Sequence, residues 1–184
     1  VEMAAVLVLF IMVMNLRGVK ESGVAFAIPT YYFVLVMLIT VGLGMLRWAT
    51  GGLGMVVAPP ELEVAITTQV VTPFLILHAL ANGTSALTGI EAISNGITAF
   101  KEPRSRNAGI TLIWMASILA TFFLGITFLA NEVGAIPSEM ETVISQLART
   151  VFGGQNILYL AVIAATALIL ILAANTAFAD FPRL

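Results

Sequence analysis

Apolar residues run along this chain in long blocks separated by short polar ones. The first block, 3–14, is shorter than the roughly 20 residues needed to cross about 30 Å of hydrocarbon, and it reads as the C-terminal half of a span. Residues 23–46 carry no charge and are long enough to cross. Pro29 lies in the first turns of that block, with Gly42 and Gly44 near its end, which membrane helices tolerate when neighbours re-satisfy the backbone. The third block, 71–100, is apolar but punctuated by Pro73, His78, Gly83, Gly89, Glu91 and Gly96. Blocks 108–130 and 157–179 are again uncharged. No block shows the every-second-residue alternation of a transmembrane strand. The pattern predicts an all-α, polytopic membrane protein, with one transmembrane domain over 1–184 and a broken span at 71–100.

The polar blocks orient these spans. Six of the eight basic residues, Arg17, Lys20, Lys101, Arg104, Arg106 and Arg183, fall in 15–22, 101–107 and 180–184. The intervening blocks, 47–70 and 131–156, hold only Arg47 and Arg149 and are acidic. Basic loops stay on the cytoplasmic side, so 15–22, 101–107 and 180–184 are expected inside a multi-pass protein of the cytoplasmic membrane. Gly51-Gly52 and Pro59-Pro60 mark turns. Pro137-Ser138 followed by Glu141 reads as a capping box opening a short surface helix.

Composition agrees and narrows the function. Sixty per cent of residues are hydrophobic and 10% charged, against about 25% charged in a soluble domain, and mean hydropathy is +1.05. A net charge of −2 offers no basic face to nucleic acid, and the absence of cysteine excludes disulfides and thiolate metal sites. There is no phosphate-binding loop, nucleophile triad or zinc spacing, so neither an enzyme nor a cofactor is expected. The start at Val1, without methionine or a basic n-region, reads as an internal piece of a longer protein rather than a signal peptide.

The candidate chemistry lies in the third block. Glu91 is the one carboxylate inside a span, ten residues before Lys101 and so about 15 Å from the inner surface if helical. Burial there costs at least a few kcal/mol, so a carboxylate at that depth faces a polar cavity, a cation or a proton. Gly83, Gly89 and Gly96 weaken the helix around it, and Thr88, Ser94 and Asn95 flank it. Secondary transporters bind ions at such midplane breaks, and 88–93 reads as one. Thr88 can then offer hydroxyl and carbonyl oxygens beside Glu91, a donor set suited to a hard cation. The plainer readings stand beside this one. Gly83 and Gly96 alone suit close helix packing. His78 suits a packed or interfacial role, Asn175 and Thr176 an interhelical hydrogen bond, and Trp48 and Trp114 interface anchoring. The Asn82-Gly83-Thr84 sequon lies inside a span and is read as chance.

Gly89-Ile90-Glu91-Ala92, followed by Ala99-Phe100-Lys101-Glu102-Pro103-Arg104-Ser105-Arg106-Asn107, resembles the sixth transmembrane helix of amino acid–polyamine–organocation (APC) transporters and its cytoplasmic loop. The block 15–22 resembles the loop before their fifth helix, and the closing stretch 175–184 the end of their eighth. The longer strings at 82–96 and 178–184 resemble the KimA-type branch of proton-coupled potassium importers. The resemblance covers nearly the whole chain and implies helices four to eight of a five-plus-five inverted-repeat transporter. It implies Thr88 and Glu91 as potassium or substrate ligands, and Gly89, Ile90 and Ala92 as the helix break. The remaining ligands belong to helices outside this chain. The partners it implies are the lipid bilayer and potassium, moved together with protons, with a homodimer left open. An amino acid permease of the same superfamily is the second reading, and a non-transporting membrane subunit with Glu91 in a structural ion pair is the third.

Overall fold

The computed structural model describes residues 6, 9, 12, 19–60, 71–84, 93–94, 96–138 and 140–180, among which there is no strand. The helices are α1 (Val19–Ala49), α2 (Pro73–Gly83), α3 (Arg104–Val133), α4 (Val143–Phe152) and α5 (Ile157–Asp180), with a 3-10 turn at Ile97–Ala99. The chain forms two compact units, residues 1–60 with 125–184, and residues 61–124.

α1 has 31 residues and is therefore about 46 Å long, more than the hydrocarbon thickness. It contains the expected span 23–46 and begins earlier, at Val19. Hydropathy marks where the lipid starts, whereas Lys20 and Glu21 are good helix formers that continue the helix into water. Pro29 sits inside α1, where it removes the bond to the Ala25 carbonyl. The helix closes at Gly51, in the left-handed region at φ 70. The Gly51 N–H donates to Trp48 O (3.1 Å) and the Gly52 N–H to Arg47 O (2.8 Å), which satisfies the last carbonyls.

α3 likewise extends beyond its expected span, 108–130, to Arg104–Val133. The first helical bond runs from the Asn107 N–H to Pro103 O (3.1 Å), and the Asn107 amide donates back to Lys101 O (2.8 Å). Arg104 and Arg106, expected in a loop, therefore occupy the first helical turn. The windows of α1 and α3 that qualify as spans are only 28% and 11% buried, so these are not the covered core helices of a soluble domain. Ile113, Trp114, Phe123 and Leu124, all large and apolar, are exposed on α3.

The first unit has a compact core made by Val41, Val56, Leu129, Val133, Leu147 and Val151. Two glycines set its helix spacing. A Cβ on Gly44 would lie 2.6 Å from Leu129 Cδ1, and one on Gly125 would lie 2.5 Å from Val41 Cγ1. Both positions need a hydrogen so that the helices can approach closely. The Val56 N–H donates to Val133 O (2.9 Å), pinning the chain after α1 to the end of α3. The Tyr32 hydroxyl donates to Ala161 O (3.0 Å), joining α1 to α5.

α4 corrects one expectation. Its N-cap is Thr142, whose hydroxyl accepts from the Ser145 N–H (3.2 Å), and not Ser138. The Ser138 hydroxyl accepts instead from the Met140 N–H (3.1 Å). Glu141 cannot complete a capping box, because its carboxylate accepts from Ser145 Oγ (2.7 Å) and pairs with Arg149 Nη2 (2.9 Å). α4 ends at Gly153, also left-handed at φ 72, and α5 begins at Asn156, whose Oδ1 accepts from the Leu158 and Tyr159 N–H groups (3.1 Å each).

Candidate functional site

Thr88, Gly89, Ile90, Glu91 and Ala92 lie outside the described residues; the segments leading to and from them do not. α2 approaches from one side. Thr72 Oγ1 accepts from the Leu75 N–H (3.2 Å) at its start, and Phe74 and His78 stack with ring centroids 6.3 Å apart. At its end the Thr84 hydroxyl donates to Ala81 O (2.6 Å), and a Cβ on Gly83 would meet nothing within 4 Å. With 11 residues α2 is about 16 Å long. On the other side Ile93 and Ser94 are helical, Gly96 forms a turn, and the 3-10 turn Ile97–Ala99 leads to Phe100 in extended conformation (φ −75, ψ 146). Ile93, Ser94 and Ile97 share a small cavity of about 160 Å³ with Ala108, Gly109 and Leu112. Its lining is almost wholly apolar, so it suits packing and not an ion.

Sequence reasoning missed a polar cluster in the first unit. Glu141 and Arg149 form an ion pair whose side chains are only 23% and 19% exposed. Ser145 Oγ lies between Glu141 and the Tyr159 hydroxyl, 3.0 Å from the latter. Beside it Gln146 is fully buried. Its Oε1 accepts from the Ile136 N–H (3.0 Å), and its Nε2 donates to Ile136 O (2.7 Å) and Glu141 O (3.1 Å). One side chain thus replaces a neighbouring strand of backbone and fixes the strap between α3 and α4. The only signal in the sequence is the strong amphipathicity of 143–152, which marks a buried face without revealing its polar bonds. Among the described residues no group of three or more acidic, histidine or cysteine side chains is placed to hold a metal.

Trp48, expected as an interface anchor, donates its indole N–H to Glu132 Oε2 (2.8 Å) and packs edge-on against Phe128 at 5.0 Å. Trp114 is 66% exposed on α3. The side chains of Asn175 and Thr176 lie outside the described part.

Two comparisons with known proteins bear on these features. A family model described as amino acid permease matches residues 2–184. The chain is also 46% identical over 186 residues to the potassium transporter KimA of Bacillus subtilis (strain 168), covering 100% of this chain and 30% of that protein. The chain therefore spans about a third of the length of the curated relative it matches. A match over nearly every residue, on a chain whose described residues form apolar helices without a strand, places the chain in a membrane transporter family: it belongs to the amino acid permease family of the APC superfamily.

Proposed function

We propose that the full-length protein is a secondary active transporter that imports potassium, coupled to protons, across the cytoplasmic membrane. The observation that carries this reading is the 46% identity to a potassium transporter across the whole chain. Thr88 ligates the ion through its oxygens, and Glu91 neutralises it and takes the proton. Gly89, Ile90 and Ala92 form the break that frees backbone carbonyls beside them. The irregular stretch at 96–100 supports a discontinuous span. The basic loops face the cytoplasm, and helices elsewhere in the protein complete the ligand set.

The second reading, amino acid uptake, draws on the description of the matched family. There the break would hold the substrate's amino and carboxylate groups, with Glu91 as a gate or proton site.

The test uses the full-length protein in cells that lack their own potassium uptake systems. Wild type is expected to restore growth at limiting potassium, and Glu91→Gln and Thr88→Ala are expected to abolish that rescue at matched membrane levels. Failure of a well-expressed wild type to rescue would overturn the potassium assignment in favour of amino acid uptake.

A further inference from the structure

The turn that enters α3 holds more positive charge than it neutralises. Lys101, Arg104 and Arg106 are all exposed, with Glu102 as the one acid among them. Glu102 pairs with Arg104 (3.1 Å, through Nε), so three cations against one acid leave a surplus of two. Among the described residues neither Lys101 nor Arg106 has an ion pair. The three cations are held close together because Asn107 ties the turn twice. Its N–H donates to Pro103 O (3.1 Å) and its side-chain amide to Lys101 O (2.8 Å). The uncharged stretch of α3 begins directly after Arg106, so these cations stand at the edge of the hydrocarbon. Beyond Arg106, at four, seven and eight residues, come Ile110, Ile113 and Trp114, exposed along one helical face. Ala108 and Leu112, on the other side of the helix, line the small cavity shared with Ile93 and Ile97.

We propose that this turn and the face of α3 next to it seat an anionic phospholipid of the inner leaflet, with Lys101, Arg104 and Arg106 around its phosphate and Ile110, Ile113 and Trp114 along its acyl chains. The inference rests on the inside placement of 101–107 and on no particular solute. The occupant follows from charge taken together with depth. An apolar helix laid on this face would cover the two isoleucines and leave Lys101 and Arg106 uncompensated. A soluble anion would satisfy the cations and leave the apolar face bare. An anionic phospholipid supplies a negative group at the height of the arginines and hydrocarbon chains beneath it. Arginine suits that height, since its guanidinium meets a phosphate with two donors at once while its stem lies along apolar surface. Basic clusters at the cytoplasmic end of a membrane helix attract anionic headgroups in this way.

The experiment puts a fluorophore on the single cysteine of Ile110→Cys in the full-length protein, otherwise freed of cysteine. The protein is reconstituted with a quencher lipid, brominated in its acyl chains, that is either phosphatidylglycerol or phosphatidylcholine at equal fraction. Quenching several-fold stronger by the phosphatidylglycerol is the expected result, with the preference falling at high salt. Combining Lys101→Gln, Arg104→Gln and Arg106→Gln is expected to abolish the preference, and Arg106→Gln alone to reduce it. Lys101→Arg with Arg106→Lys is expected to keep it, as is Arg47→Gln, which removes a cation from the face expected outside. No quenching by either lipid means that another part of the protein covers the face, and overturns the proposal. Equal quenching by both overturns the anionic headgroup. A preference unchanged in the glutamine variants, or lost equally in Arg47→Gln, overturns the three cations as its source. Loss of the preference on adding inorganic phosphate assigns the cations to a soluble anion and overturns the lipid. None of these readouts needs transport, so they stand whether or not the protein carries potassium.

Discussion

The α4 corner and the 71–100 stretch are built on opposite terms. Around α4 the polar groups find partners across long sequence distances. Gln146 holds Ile136 and Glu141, Ser145 reaches Tyr159, and Trp48 reaches Glu132. The glycines there, Gly44 and Gly125, press against neighbouring side chains. In 71–84 the hydroxyls of Thr72 and Thr84 close within three residues, most side chains are exposed, and Gly83 faces open space. Among the described residues the first region draws its polar contacts from several elements of this chain. The second leads to and from the residues of the candidate chemistry. On the proposed reading, the scaffold and the ion ligands lie in different stretches, and substitutions should separate them.

The largest effect tests that separation directly. Glu91→Gln and Thr88→Ala should eliminate potassium-dependent growth while shifting the thermal unfolding midpoint of the purified full-length protein little. A large drop in that midpoint would place the two residues in the scaffold. Gln146→Leu should do the reverse. It strips partners from the Ile136 N–H and C=O and should cost about 2–3 kcal/mol, read as a lower unfolding midpoint. Gly125→Val should cost about 1–3 kcal/mol by overpacking against Val41, visible in the same measurement. Arg149→Met leaves Glu141 partly buried without its cation and should cost about 1–2 kcal/mol, less than for a fully buried pair because both side chains keep some water. The smallest effect sharpens the contrast. Gly83→Ala should be neutral or stabilise by up to about 1 kcal/mol, and a clear loss would reveal that another segment of the full-length protein rests against Gly83.

Much of the helical layout was legible because lipid imposes a simple rule on the sequence. Uncharged blocks at 23–46, 108–130 and 157–179 fall inside α1, α3 and α5. Their ends were not legible, because Val19–Ser22 and Arg104–Asn107 are helical in polar surroundings where hydropathy gives no cue. The start of α4 was misplaced because Ser138 and Thr142 offer similar caps, and the choice depends on where the Glu141 carboxylate goes. That carboxylate is committed to Ser145 and Arg149, the latter eight residues away, a pairing that only the folded strap creates. The candidate ion site is proposed from the sequence because a lone carboxylate among glycines inside a span has few structural uses; it lies outside the described residues.

One dimension of α3 carries a further consequence. Arg106 and Glu132 bound an uncharged stretch about 39 Å long, against about 30 Å of hydrocarbon. A helix longer than the hydrocarbon fits by tilting, kinking or thickening the bilayer around it, more so in a thinner bilayer. The Glu132 end is tethered to Trp48 at 2.8 Å. Transport in vesicles of graded acyl-chain length is therefore expected to vary with membrane thickness.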